Sequence, residues 1–175
     1  ITQSMNTRDV FLDERPVSRL DFAKQRARET VEQLACGSRV GLAVFTEYRT
    51  LLMVAPAEVC AQREEFDRAI ARIDGRLSWA GASEVAKGLN SALHASTFLE
   101  PQPAVTFITD GHESPPLNSR HRPQIDHVNA NTSGLIVGVG GDLPTAEIDG
   151  FEARLSHLHG LIAGQRAEGV DIGLE

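Results

Sequence analysis

Apolar residues along the chain change their period several times, and each change marks an element. Leu20, Ala23, Ala27, Val31 and Leu34 recur at helical spacing with charged residues between them. Residues 19–35 therefore predict an amphipathic helix capped by Ser18 and closed by Gly37. Residues 40–45 are almost unbroken apolar chain, the pattern of a strand covered on both faces. A turn at residues 46–49 leads to a second strand at 50–54, which Pro56 is expected to stop. So short a connection predicts an antiparallel edge hairpin. Residues 63–73 predict a helix with Phe66, Ala69, Ile70 and Ile73 on one side. After a long loop at 74–83, which holds Trp79, residues 84–98 predict a helix buried through Val85, Leu89, Ala92 and Leu93. A strand at 104–108 then runs into Thr109-Asp110-Gly111. The loop 112–123 is rich in proline and charge. A short helix is expected at 124–129, a buried strand at 135–139 and a weak helix from 150 onward, with 158–175 poorly patterned. The opening residues, through Pro16, are polar and turn-like and predict no element.

Helices alternating with apolar strands indicate an α/β fold with helices on both faces of the sheet. The expected architecture is three-layer and Rossmann-like, with a mostly parallel central sheet and an antiparallel edge strand. Residues 1–175 read as one domain. The first helix, however, has no strand to descend from. A central strand is therefore expected upstream of Ile1, with the native protein continuing in that direction.

Composition narrows the functional classes. Seventeen basic against 24 acidic residues give a net charge of -7, the wrong sign for a general nucleic-acid surface. No apolar run approaches the ~18 residues of a membrane helix, and no signal peptide is visible. Cys36 and Cys60 are not at metal-ligand spacing, and two cysteines alone do not specify a disulfide. The reading made of them is free, partly buried thiols.

Chemistry in α/β sheets gathers at the carboxyl ends of strands, which singles out Asp110. Three loops should meet at that edge: residues 2–9, 79–83 and 110–113. They offer the hydroxyls of Thr2, Ser4 and Ser83 and the carboxylate of Asp110, with no cysteine or histidine cluster beside them. Such an all-oxygen set suits magnesium, manganese or calcium rather than zinc. Hydroxyl ligands are neutral, so a metal held by few carboxylates stays electrophilic and can accept a carboxylate from a partner. A plain helix N-cap is the rival role for Ser83, and a simple turn acceptor is the rival role for Asp110. Asp9 and Asp13 read as solvated or capping. Trp79 could serve a partner interface or the core. Glu113 and His112 could tune the rim charge or face water.

Thr2-x-Ser4-Met5-Asn6, Gly81-x-Ser83 and Thr109-Asp110-Gly111 together resemble the three pieces of the metal-ion-dependent adhesion site (MIDAS) of von Willebrand factor type A (VWA) domains. Thr2 and Ser4 match the two hydroxyl positions of the first piece, whose aspartate would precede Ile1. Ser83 stands where the family has a threonine, and Asp110 is the aspartate of the third piece. The resemblance spans about 140 residues. It implies that Thr2 or Ser4, Ser83 and Asp110 hold Mg2+ (or Mn2+ or Ca2+) directly or through water. The implied function is a non-enzymatic protein-interaction module that binds an acidic residue of a partner. The first loop, with Met5-Asn6-x-Arg8-Asp9, looks most like bacterial members. Some of those are accessory to methanol dehydrogenase maturation and work with AAA+ ATPases. This suggests an AAA+ ATPase or a metalloenzyme under maturation as partner, and a periplasmic or membrane-associated setting.

Two other functions compete. One is a metal-dependent hydrolase or phosphoryl-transfer enzyme, but the chain has no Gly-x-x-x-x-Gly-Lys loop and no Gly-x-Ser-x-Gly. Gly138-x-Gly140-Gly141 lacks the full dinucleotide pattern. The other is a structural domain with a degenerate metal site.

Overall fold

The computed structural model describes residues 1–77, 81–115, 124–140 and 146–149. Trp79, part of the 112–123 loop and the weak helix expected from 150 lie outside the described residues. The chain opens with a 3-10 turn, Gln3–Asn6, and a small antiparallel hairpin, β1 (Val10–Leu12) and β2 (Arg15–Val17). Sequence reading made this stretch a loop. The turn residues Asp13 and Glu14 both have positive φ, 47° and 64°. This is the left-handed pair of a two-residue hairpin turn, built without the glycine or asparagine that normally announces one.

Helix α1 (Arg19–Gln33) follows, with the Ser18 hydroxyl accepting from the Asp21 amide at 3.0 Å as a side-chain cap. Strands β3 (Arg39–Thr46) and β4 (Arg49–Glu58) form the expected antiparallel hairpin. Pro56 does not stop β4. The register shifts between Val40 and Ala43, and Pro56 sits in that irregularity on an edge strand, where a missing ladder donor is tolerated. Nor is β3 covered on both faces throughout, because Arg39, Gly41 and Ala43 are exposed.

Helices α2 (Arg63–Arg72) and α3 (Val85–Ser96) come next. Strands β5 (Val105–Thr109), β6 (Ser133–Gly138) and β7 (Ala146–Asp149) complete the described elements. β5 and β6 pair in parallel, and β7 adds antiparallel to β6. Among the described residues the strands thus form separate hydrogen-bonded sheets rather than the single mostly parallel sheet expected. Of the described strand pairs, β5–β6 is the parallel one. No helix forms at residues 124–129. That stretch is irregular and is tied to α3 by Asn90 Nδ2 donating to Asp126 Oδ1 at 2.9 Å, while Ile125 and Val128 pack on the core.

Two cores lie on the two faces. Val85, Ala86, Leu89 and Leu93 of α3 pack with Phe107 and Ile136. Leu20 and Ala23 of α1 pack with Val44, Ile73, Met5 and Val139 on the other side. The alternation within β5, Phe107 toward one cluster and Ile108 toward the other, is the period-two signature of a strand between two helical layers. Gly88 lets α3 approach β3: a Cβ there would stand 2.6 Å from Phe45 Cδ2, and the Phe45 ring is itself stacked on Phe107 at 4.9 Å.

Cys36 and Cys60 are joined in a disulfide with Cα atoms 5.4 Å apart. This overturns the free-thiol reading. The pairing could not be read from two cysteines 24 residues apart, because it depends on β3 and β4 running out and back. The Glu58 carboxylate braces the same corner by accepting from the Gly37 and Ala61 amides, each at 2.6 Å. These backbone donors, Gly37 first, hold Glu58 below the usual carboxylate range. Among the described residues, no helix is long and apolar enough to cross a membrane.

Candidate metal site

The predicted residues sit near the ends of β3 and β5. The first loop is pinned by Met5, which is buried in the α1-side core, and by its amide donating to the Thr2 carbonyl at 3.1 Å. The turn points two hydroxyls at each other: Thr2 Oγ1 and Ser4 Oγ are 2.8 Å apart. Thr2 is buried and Ser4 half-buried. The nitrogen of Ile1, next to Thr2, donates to the Phe45 carbonyl of β3, which sets this loop beside the end of that strand.

Ser83 is clamped by its backbone. It exchanges two hydrogen bonds of 2.8 Å with Ser114, and the following amide, Glu84 N, donates 2.8 Å to the Glu47 carbonyl in the β3–β4 turn. Ser83 therefore links the edge hairpin to the segment that leaves Asp110. The N-cap role does not apply, because the capping residue of α3 is Glu84 and the Ser83 side chain makes no cap bond. Its Oγ is buried, with the residue 3% exposed, and has no hydrogen-bond partner among the described residues. Buried hydroxyls are nearly always satisfied, so an orphan one calls for a ligand or water.

Asp110 follows β5, which is held to β6 by a continuous parallel register and extended by Val139 N donating to the Thr109 carbonyl at 2.9 Å. Gly111 has φ +67°, a conformation open to glycine, and the turn it makes brings the His112 amide to Asp110 Oδ1 at 3.3 Å. The Asp110 side chain is only 3% exposed. A buried carboxylate requires a positive partner, and here that partner is Arg19. Its Nη1 donates to Asp110 Oδ2 at 3.3 Å, while Nε donates to both oxygens of Asp9 at 2.9 and 3.1 Å and Nη2 also reaches Asp9. The Arg19 hydrogen bonds hold the Asp9 carboxyl below its ordinary range, and Asp9 raises Arg19 in return.

Sequence reasoning missed two members of this edge. Arg19 was counted only as the start of a helix. A signal was present: a cation in the first helical position faces the positive end of the helix dipole and needs anions nearby. Glu113 was left as rim or solvent. In the structure its carboxylate accepts from the Ala86 amide at 3.1 Å and so caps α3, and burial raises its pKa above the ordinary range despite those backbone bonds. Asp9, read as solvated or capping, is instead the main partner of Arg19.

The donor set fits a hard divalent cation. It is made of hydroxyl and carboxylate oxygens with a single buried carboxylate, and one of its hydroxyls is orphaned. The two cysteines cannot contribute thiolates while they are bonded to each other.

A scan against protein-family models finds no match, and a search of curated proteins finds none either. Solved structures do resemble the chain. One is an aerotolerance-related membrane protein from Bacteroides fragilis NCTC 9343 carrying multiple mutations to serines. Its TM-score is 0.57 at 17% identity, over 94% of this chain and 83% of that one. Another is an uncharacterized membrane-spanning protein from Vibrio fischeri, at a TM-score of 0.44 and 18% identity, over 93% of this chain and 83% of that one. The Bacteroides likeness shows an α/β fold and supports a VWA-like one.

Proposed function

We propose that the domain is a non-enzymatic protein-interaction module that binds a partner carboxylate through a divalent cation held by Thr2, Ser4, Ser83 and Asp110. The observation that carries this reading is the buried, unpartnered Ser83 hydroxyl, fixed by its backbone to the segment leaving Asp110. A hard cation, Mg2+ in the first instance, with Mn2+ or Ca2+ as substitutes, would give that oxygen the partner it lacks. With one buried carboxylate on the protein side, the ion would keep enough positive charge to accept a second one from outside.

The chain's negative charge, -7, fits this role. Direct contact with an acidic partner would be repulsive, so the cation would serve as the bridge that makes the contact favourable. An AAA+ ATPase or a metalloenzyme under maturation is the partner class that the first loop's resemblance to bacterial VWA proteins suggests. An oxidising, membrane-associated setting fits both the disulfide and the description of the Bacteroides protein as a membrane protein.

The test is calorimetric titration of the full-length protein with magnesium and manganese, beside Asp110→Ala. The variant is expected to keep its circular dichroism spectrum and lose metal binding. Unchanged metal affinity in that variant would remove the site.

A further inference from the structure

Among the described residues, Arg19 is the positively charged side chain that reaches the candidate metal ligand Asp110 from a different element. Resting on the reading of that site as a cation site, we propose that Arg19 is a built-in counter-cation, which neutralises Asp110 in the metal-free protein and gives it up when the divalent ion arrives. Two features of the geometry support an exchange rather than a fixed brace.

The contacts are unequal. Asp9 takes Nε and Nη2, a two-pronged grip, whereas Asp110 takes Nη1 alone at 3.3 Å. The Asp110 contact can therefore be released while the guanidinium stays anchored. The site is also too buried for both charges at once. With the Asp110 side chain 3% exposed and that of Arg19 19% exposed, a dication and a guanidinium on one carboxylate would repel across little solvent.

Exchange predicts changes of opposite sign in two variants. Arg19→Gln removes the competitor and should tighten manganese binding by about two- to fivefold, the range of a single ion pair. Asp9→Asn removes the anchor, leaves the guanidinium wholly on Asp110 and should weaken binding by a similar factor. General destabilisation would weaken both. The experiment is manganese calorimetry on the full-length protein, with wild type, R19Q, D9N and D110A in parallel and folding checked by thermal melting. A third measurement needs no variant: adding magnesium to the wild type should shift the Arg19 guanidinium 15N resonances. Unchanged resonances on saturation, or R19Q binding no tighter than wild type while D110A loses binding, would overturn the exchange and leave the metal site standing. Equal binding by wild type and D110A, or none by any protein, would remove the site and the exchange with it.

Discussion

The hydroxyl of Ser83 separates what a residue does for the fold from what it does for the site. Its backbone bonds to Ser114, and the neighbouring Glu84 bond to Glu47, hold two loops together and survive any substitution that keeps the backbone. Its side chain contributes nothing comparable, because a buried hydroxyl without a partner is a net cost. Ser83→Ala should therefore leave the metal-free protein as stable as wild type, or more stable by up to about 1 kcal/mol. The same variant should bind manganese more weakly. Thermal melts in chelator and a metal titration measure the two effects, and a loss of stability in chelator would mean the hydroxyl has a structural partner. Thr2, Ser4, Ser83 and Asp110 could be singled out from the sequence as candidates because short polar motifs beside strand ends are local. Arg19 could not, because its bond to Asp110 joins residues 91 apart and follows only once α1 is laid against the end of β5.

At the level of elements, periodicity located α1, α2, α3 and the β3–β4 hairpin to within a few residues, since each buries one patterned face. It failed where a local rule was overridden. Residues 124–129 hold the apolar pair Ile125 and Val128 at helical spacing, yet both pack, partly buried, against the α3-side core without a helix forming. Pro56 was read as a stop and is accommodated by a shift in register. Gly88 shows the reverse case, a poor helix former retained in a helix interior. Ala would gain about 1 kcal/mol in helix propensity. Its methyl, however, would meet Phe45, which cannot retreat because it stacks on Phe107. Overpacking of this kind costs about 1–3 kcal/mol, so Gly88→Ala should be destabilising on balance. Urea unfolding of the variant measures it, and a stabilised variant would show that α3 can move off β3.

For the molecule as a whole, the candidate metal site and the disulfide lie at opposite ends of the same hairpin. β3 starts just after the corner of Cys36 and Glu58, and its eight residues span about 25 Å to an end beside Ser83. The disulfide closes a loop across a sequence separation of 24, which in the chain-entropy account stabilises the fold by about 3.5 kcal/mol. At about 2–4 °C per kcal/mol for a chain of this size, reduction should lower the melting temperature by about 7–14 °C. Metal affinity should not follow. Thr2, Ser4, Ser83, Asp110 and Arg19 are held by bonds at the far end of β3, and none of those bonds runs through residues 36–38 or 58–61. Melting curves and manganese titrations of Cys36→Ser/Cys60→Ser, at a temperature where the variant is fully folded, separate the two quantities. A fall in affinity together with stability would mean that the hairpin transmits strain from one end to the other. Unchanged affinity would mean that the disulfide stabilises the scaffold without tuning the candidate site.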